Sequence, residues 1–181
     1  MSADEGPAIR LATPLAEDGV LALRAGDAVL LSGAVYTARD AAHQRLLALI
    51  EAGEPLPIEL EGQVIYYCGP TPAPPGRPVG SAGPTTSSRM DAYAPILHAR
   101  GVRATIGKGP RSGAVRRALM EHGAVYLAAV GGAGALLAQR VVAAEVIAFA
   151  ELGPEAIRRF TVADFPAVVA YDSHGGSAFA E

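Results

Sequence analysis

Short apolar runs alternate along the chain with segments whose apolar residues recur at helical spacing. Ala28–Gly33, Gln63–Tyr67 and Val102–Ile106 are predicted to be buried strands, because each is a brief apolar run next to turn-forming or polar residues. Four more strands are predicted by the same criterion at Ile9–Ala12, Val125–Val130, Val146–Phe149 and Val168–Tyr171. The second half of the chain is therefore especially rich in predicted strands.

Three segments have the periodicity of a helix that packs one face on a core. We predict helices over Asp40–Ala52, Arg89–Arg100 and Ser112–His122, and a glycine directly follows each of them. A further short helix is predicted after Thr13-Pro14. Strands that alternate with helices of about ten residues are typical of an α/β domain.

Length and charge narrow the classes of function. A chain of 181 residues is predicted to form one domain, residues 1–181, with a real core. Its 15 basic and 18 acidic residues give a formal net charge of −3 without any basic run, which argues against nucleic-acid binding. The first ten residues lack the basic-then-apolar order of a signal peptide, and no apolar stretch reaches the roughly 20 residues that span a bilayer. We therefore expect a soluble, cytoplasmic protein.

Several common ligand-binding motifs fail on inspection. Gly101–Lys108 has five residues between its glycines, and Gly109 follows where a phosphate loop requires serine or threonine. Gly132–Gly134 lacks the third glycine of a dinucleotide fingerprint. The four histidines show no metal-ligand spacing, and the single cysteine, Cys68, excludes an intrachain disulfide or an all-cysteine metal or iron–sulfur site built by this chain alone.

Three segments share one arrangement of residue types. In each of them, a strand end or glycine turn is followed by hydroxyl or glycine residues and then by a cation. We expect this cation at or just before a helix N-terminus. The segments are Ser32–His43, Gly83–Asp91 and Ile106–Gly109. Helix N-termini carry unpaired N–H groups and partial positive charge, and an arginine there adds bidentate carboxylate recognition. The three cations are Arg39, Arg89 and Lys108. Two arginines and a lysine that converge would suit a small dicarboxylate.

Two residues beside these cations could move a proton. If a helix starts near Arg39, His43 lies four residues later on the same face, and Thr85 has the same spacing from Arg89. Either side chain could transfer a proton to or from a bound substrate.

Each of these residues also has a structural interpretation. Ser88–Asp91 fits a capping box without any ligand, and a histidine such as His43 that lines up with apolar residues could be a satisfied core residue. Arg39 could pair with a carboxylate or be solvated, and Lys108 could be an ordinary loop lysine. The pattern of residue types alone therefore supports a small-anion site and nothing more specific.

The order of residues adds a family resemblance. Ser32–His43, Gly83–Asp91 and Gly107–Gly109 closely resemble motifs of the beta subunit of class I fumarate hydratases, a family that includes the beta subunit of L-tartrate dehydratase. The similarity runs nearly end to end and extends to further segments, namely Tyr67–Pro70, Glu151–Ala156 and Asp164–Val169. Three ordered motifs in one chain argue against a chance similarity.

The resemblance implies a swivelling β/β/α domain, folded as a single compact domain, that works beside an alpha subunit. That partner holds a [4Fe–4S] cluster with three cysteines, and the cluster's fourth iron binds the substrate hydroxyl and carboxylate. The lone cysteine here agrees with a cluster held elsewhere, and we interpret Cys68 as a structural thiol at a strand end. Two alpha and two beta subunits are the expected assembly, and this chain is expected to bind no metal.

The family also suggests roles for individual side chains. The resemblance assigns substrate binding to Arg39, Thr86, Arg89, Gly107 and Lys108. It leaves His43 and Thr85 as a pair of candidates for proton transfer.

The implied activity is that of a hydro-lyase. The first hypothesis is reversible hydration of fumarate to L-malate, a reaction of the tricarboxylic acid cycle. Dehydration of tartrate to oxaloacetate is the alternative, because the tartrate enzyme shares every motif, and mesaconate or another fumarate analogue is a minor one. A stand-alone binding module for small dicarboxylates belongs to a different class and would need no partner.

Overall fold

Seven strands and five helices make up the computed structural model, which describes residues 6–130 and 132–180. In chain order the strands are β1 (Ile9–Ala12), β2 (Ala28–Thr37), β3 (Val64–Tyr66), β4 (Ala104–Gly107), β5 (Val125–Ala128), β6 (Val141–Ala148) and β7 (Ile157–Tyr171). The helices are α1 (Glu17–Leu21), α2 (Asp40–Glu51), α3 (Ala94–Ala99), α4 (Gly113–His122) and α5 (Gly134–Ala138). Two 3₁₀ segments lie at Ser87–Met90 and Ala150–Glu155. The α/β class predicted from the sequence is confirmed.

The sheet closes into a barrel. β2, β3, β4 and β5 are parallel neighbours in that order, and β7 runs antiparallel between β5 and β2. β1 pairs in parallel with the first half of β2, and β3 pairs in parallel with the end of its second half. β6 pairs only with the first half of β7. The carboxyl ends of β2, β3 and β4 therefore meet at one edge of the barrel.

Alternate residues of each strand serve different parts of the core. Val64 and Tyr66 belong to the cluster inside the barrel, whereas Ile65 and Tyr67 belong to the cluster beneath α2 and α3. Tyr126 of β5 belongs to a third cluster, which packs against α4. This alternation follows from the two-residue period of a strand, and it sends two tyrosines toward the helices.

Helices with clear end signals agree with their predictions. α2 ends one residue before the predicted Ala52, and α4 begins one residue after Ser112. The Ser112 hydroxyl oxygen accepts a hydrogen bond from the backbone N–H of Val115, and Gly123 adopts the left-handed conformation after the last turn, at φ 60°. Both features are the usual end signals of a helix.

The predicted helix over Arg89–Arg100 is wrong in its first half. The structure has a 3₁₀ segment at Ser87–Met90 and then a separate helix, α3, which begins at Ala94 with Pro95 in its first turn. Proline is tolerated there but interrupts a helix that already runs before it, since it has no N–H to donate and clashes with the preceding turn. Arg89 is consequently not in the first turn of an α-helix.

The last two strands are longer than predicted. β7 has 15 residues and β6 has eight, whereas the sequence predicted Val168–Tyr171 and Val146–Phe149. Polar residues interrupt the apolar pattern of β7, but β2 lies along most of its length, while β6 and β5 each pair with one part of its other edge.

Among the residues that the structure describes, no helix combines the length and the apolar character that a membrane span requires.

Candidate active site

The three motif segments lie together at the carboxyl ends of β2, β3 and β4. The backbone N–H of Ala38 donates to the carbonyl of Tyr66 at 3.1 Å, which joins the segment after β2 to the end of β3. The N–H of Thr85 donates to the carbonyl of Tyr67 at 2.7 Å, and the N–H of Lys108 donates to the carbonyl of Thr85 at 3.3 Å. Main-chain hydrogen bonds therefore hold all three segments around the end of β3. In α/β folds with parallel strands, both barrels and open sheets, ligands commonly bind at this carboxyl-end edge.

Arg39 is the N-cap residue of α2, so the prediction of a cation at this helix start is confirmed. Its guanidinium makes no hydrogen bond to the residues that the structure describes, and its buried Nε atom lies 4.0 Å from Glu155 Oε1. Gly69 leaves room for this side chain, because a Cβ at that position would lie 2.9 Å from Arg39 Nη1. Arg39 thus brings a positive group with unused donors to the start of α2, in the segment that follows β2.

Arg89 reaches the same helix through Asp40, the first residue of α2. Arg89 Nε donates to Asp40 Oδ1 at 3.1 Å, and Nη2 lies 2.8 Å from Oδ2. Half of the Arg89 side chain remains exposed. This two-point contact orients the guanidinium of Arg89 at Asp40, the residue that follows Arg39 in sequence. The sequence did not single out Asp40, although it directly follows Arg39 in the motif.

Lys108, in the third segment, lies beside Thr86. The two residues form a parallel bridge, and the Lys108 side chain is exposed, with no carboxylate of the described residues within 4.0 Å of its ammonium group. Gly107 precedes it at a crowded point, where an added Cβ would overlap Ser87 Oγ and lie 3.0 Å from Tyr67 Cδ2. Because Gly107 has no side chain, Ser87 and Tyr67 can pack closely against its backbone. This packing fixes the backbone position from which the Lys108 side chain extends.

Two positional expectations need correction. Lys108 follows the end of β4 and is separated from α4, which starts only at Gly113, so it is not just before a helix N-terminus. The capping box proposed for Ser88–Asp91 is not formed either. No side chain caps the 3₁₀ segment, and the carboxylate of Asp91 instead binds Arg111 and the backbone N–H of Ser112.

His43 lies one turn into α2 and is almost fully buried, with 1% of its surface exposed. Its Nδ1 is 2.7 Å from the carbonyl oxygen of Arg39, and a carbonyl only accepts, so Nδ1 carries the proton. Its ring packs on those of Tyr67 and Tyr93. Burial lowers the pKa of His43 to about 4, despite the hydrogen bond to Arg39, so the ring is neutral at pH 7. The unprotonated Nε2 has no partner among the described residues.

A buried arginine lies beneath the site and was missed by sequence reasoning. The side chain of Arg111 is fully buried; its Nε donates to Asp91 Oδ1 at 2.6 Å, and its Nη atoms donate to Thr105 Oγ1 and Tyr67 Oη. A buried charge is tolerated only when it is paired and hydrogen-bonded in this way. Arg111 thereby fixes Asp91, the last residue of the segment that carries Arg89. No short motif marks this arginine, because two of its partners, Asp91 and Tyr67, are 20 and 44 positions away.

Metal-binding groups are scarce in the part of the chain that the structure describes. No set of three or more histidine, cysteine, aspartate or glutamate side chains is placed to hold a metal ion among residues 6–130 and 132–180. Cys68 is buried in the barrel core, and burial raises the pKa of its thiol to about 12 even though Arg39 and Arg158 are nearby. A protonated, buried thiol fits the structural role expected for this residue.

Comparison with known proteins gives the family. The sequence profile described as "Fumarase C-terminus" matches residues 1–181. The chain belongs to this family. The predicted resemblance to beta-type fumarate and tartrate hydro-lyase subunits is therefore confirmed.

Relatives in the Fumarase C-terminus family differ in length. The anaerobic class I fumarate hydratase of Escherichia coli K12 is 43% identical over 151 residues, 82% of this chain and 28% of that protein. Fumarate hydratase 2 of Leishmania major is 39% identical over 158 residues, 86% of this chain and again 28% of that protein. A Methanocaldococcus jannaschii protein named "Putative L(+)-tartrate dehydratase subunit beta" is 39% identical over 177 residues, 92% of this chain and 89% of its own length. The chain thus spans little more than a quarter of the two fumarate hydratases.

Proposed function

We propose that this chain is the beta-type half of a class I fumarate hydratase, a hydro-lyase that interconverts fumarate and L-malate together with an alpha partner. One observation carries the proposal: main-chain hydrogen bonds and the Arg89–Asp40 contact join the segments that carry Arg39, Arg89, Lys108 and Thr85 at the carboxyl ends of β2, β3 and β4. The names of the Escherichia coli and Leishmania relatives support the same substrate.

The charges suit a dicarboxylate. Arg39 and Lys108 have no hydrogen-bonded or ion-paired acceptor among the described residues, apart from Glu155 at 4.0 Å from Arg39, so each can bind a carboxylate. Arg89 is already oriented by Asp40. Removing a proton from the carbon next to a carboxylate adds negative charge to that carboxylate, and fixed cations stabilise this charge. Thr86 lies beside Lys108 as a further binding group, and Gly107 contributes by placing Lys108.

The two candidates for proton transfer differ in accessibility. Thr85 is partly exposed and is joined directly to Lys108 through its carbonyl, whereas the His43 ring is enclosed by α2, Tyr67 and Tyr93. A group that exchanges a proton with substrate must come within hydrogen-bonding distance of it. This supports Thr85 as the residue that moves the proton, and His43 as the residue that supports Arg39 through its carbonyl.

An iron–sulfur cluster does not fit the residues of this chain. A [4Fe–4S] cluster takes several cysteine thiolates, and Cys68 is a single buried thiol whose pKa is raised by burial. We therefore propose that three cysteines of an alpha partner hold the cluster, in a cytoplasmic assembly of two alpha and two beta subunits. Residues 1–181 would act in it as one domain. The word "subunit" in the name of the archaeal relative supports such a partnership.

The test compares two arginines of similar exposure. Arg89→Ala should abolish turnover in the enzyme assembled anaerobically with its alpha partner, while its thermal unfolding stays close to that of the wild type. Arg159→Ala is the matched control, because Arg159 is 44% exposed against 50% for Arg89 and its guanidinium pairs with Glu145 of β6, which lies outside the three motif segments. It should retain wild-type turnover. Fumarate absorbance during L-malate dehydration is the measurement.

Each other result has a definite meaning. Turnover close to the wild-type rate in Arg89→Ala would refute the site assignment. Turnover of L-tartrate but not of L-malate would show that the chain belongs to a tartrate dehydratase. Dicarboxylate binding by the chain alone, without a copurifying iron–sulfur partner and without turnover, would favour a binding module.

A further inference from the structure

Two of the motif segments share a single hydroxyl group. Tyr126 Oη lies 2.9 Å from Ser87 Oγ and 2.8 Å from the carbonyl oxygen of Gly109. Ser87 belongs to the segment that carries Thr85 and Arg89, and Gly109 directly follows Lys108. A tyrosine of β5, outside all three motifs, therefore contacts both segments at once.

The direction of these two hydrogen bonds is determined by chemistry. The carbonyl of Gly109 can only accept, so the Tyr126 hydroxyl donates its proton there. Ser87 Oγ must then donate to Tyr126 Oη, which completes a chain from Ser87 through Tyr126 to Gly109. Burial raises the pKa of Tyr126 to about 12, so this hydroxyl keeps its proton throughout the neutral range.

The Tyr126 ring is itself held on two sides. The Arg111 guanidinium carbon lies 4.9 Å from the ring centroid, and the ring of Tyr171 stacks at 5.9 Å with an angle of 26°. Arg111 is fixed in turn by Asp91 and Tyr67. The hydroxyl therefore has little freedom to move, and the groups that bind it are constrained to its position.

Ser87 is equally constrained. It is fully buried, its N–H donates to the carbonyl of Lys108 at 2.9 Å, and its hydroxyl occupies the space that a side chain at position 107 would need. A shift of Ser87 would thus move the backbone on both sides of the site. Its buried hydroxyl would be left without a partner if the tyrosine oxygen were removed, which is unfavourable.

From this geometry we propose that Tyr126 is a positioning residue, whose hydroxyl sets the spacing between the Thr85–Arg89 segment and the Lys108–Gly109 turn. The inference rests on the proposed function, because it takes these two segments as the substrate site. Tyr126 does not itself touch the substrate. Its effect is on how well Thr85 and Lys108 are aligned, and small displacements of such groups are costly to the rate.

Two tyrosine variants test this role in the assembled enzyme. Tyr126→Phe removes one oxygen atom and keeps the ring; we expect kcat to fall about tenfold, with a smaller change in KM. Tyr171→Phe is the matched control, since its ring stacks on Tyr126 but its hydroxyl makes no hydrogen bond to the described residues. It should change kcat by less than about twofold. Equal kcat values for the two variants would overturn the assignment.

A double variant tests the path through Ser87. If the hydroxyl of Tyr126 acts by holding Ser87, Ser87→Ala should lower kcat to a similar extent, and the double variant should be no slower than the slower single variant. A purely additive loss of activity would mean that the two side chains act independently, against the proposed coupling.

Hydrogen exchange separates this inference from the proposed function. The amides of Ser87 and Lys108 donate to the carbonyls of Lys108 and Thr85, so looser coupling should speed their exchange in Tyr126→Phe, and not in Tyr171→Phe. If the wild-type assembly fails to hydrate fumarate, the proposed function fails, but faster exchange at these two amides still supports the coupling. Unchanged exchange at both amides overturns it whatever the activity.

Discussion

His43 and His98 are two histidines with nearly the same burial and hydrogen bonding. Their exposed fractions are 1% and 2%, and each Nδ1 lies within hydrogen-bonding distance of a backbone carbonyl four residues away, that of Arg39 or of Val102. Neither Nε2 has a partner among the described residues, and burial lowers the pKa of both to about 4. Only His43, however, contacts the candidate site.

The likeness of these two histidines shows that burial and a lowered pKa do not identify a functional residue. What distinguishes His43 is its neighbours. Its acceptor is the carbonyl of Arg39, and its ring packs on Tyr67, whose backbone carbonyl binds the N–H of Thr85. His98, by contrast, contacts the carbonyl of Val102, which lies just before β4 and outside the three motif segments. A functional role is therefore inferred from contacts, and the pKa describes the environment.

The largest effect within this comparison is expected at Thr85, whose N–H binds the carbonyl of Tyr67, the residue on which the His43 ring packs. Thr85→Val keeps the shape of the side chain and removes its hydroxyl, and we expect kcat to fall about a thousandfold, within the usual range for loss of a proton-transfer group. Thr161→Val on the exposed face of β7 is the control and should keep wild-type activity. A near-normal kcat for Thr85→Val, with a large loss in His43→Asn, would reverse the two roles.

Acid should destabilise the fold through both histidines equally. Each has a pKa of about 4 in the folded chain and about 6.5 when unfolded, so between these values the unfolded chain binds more protons. The contribution of each histidine is fully present above pH 6.5 and is lost as the pH falls toward 4, on the order of 3 kcal/mol per residue. Urea unfolding at pH 7 and at pH 4.5 measures the change.

Replacing either histidine should reduce this acid sensitivity. His43→Asn and His98→Asn each keep an N–H that can reach the same carbonyl, and each should remove about half of the pH-dependent loss assigned to the pair. The double variant should remove nearly all of it. If acid sensitivity persists in the double variant, other groups cause it. One such group is the carboxylate of Asp172: burial alone would raise its pKa, but hydrogen bonds from three backbone N–H groups lower it.

The two histidine variants should differ in their effect on kcat, although they should reduce acid sensitivity equally. His43→Asn disturbs the contacts to Arg39 and Tyr67, so we expect kcat to fall about tenfold, the size of effect that a small misplacement of site groups produces. His98→Asn should stay within about twofold of the wild type. Equal losses of activity in the two variants would mean that His43 has no special connection to the site.

Much of the fold and of the site region could be predicted where the signals are local. α4 was predicted to within one residue because Ser112 and Gly123 mark its ends. Arg39, Arg89 and Lys108 were singled out because each follows a strand end or glycine turn with hydroxyl or glycine residues, and main-chain hydrogen bonds join the segments that carry them around the end of β3. Such signals depend on a few neighbouring residues, which a single sequence displays directly.

Features that depend on distant contacts could not be predicted. The full length of β7 results from pairing with strands elsewhere in the chain, and its own residues are too polar to show it. Arg111 binds Asp91 and Tyr67, which are 20 and 44 positions away. Nothing near Arg111 in the sequence distinguishes it from an exposed loop arginine, so only the folded chain reveals the buried pair.

The smallest expected effect concerns α4, which packs on the helix that carries His98. Ser112→Ala removes the cap to the N–H of Val115 and should lower the free energy of unfolding by about 1 kcal/mol. Ser112→Thr keeps the accepting oxygen and should stay within a few tenths of a kcal/mol of the wild type. Both variants keep the backbone N–H that binds Asp91, so kcat should not change. A loss of activity in Ser112→Ala alone would connect this helix to the site, and the contrast between the His43 and His98 regions would no longer hold.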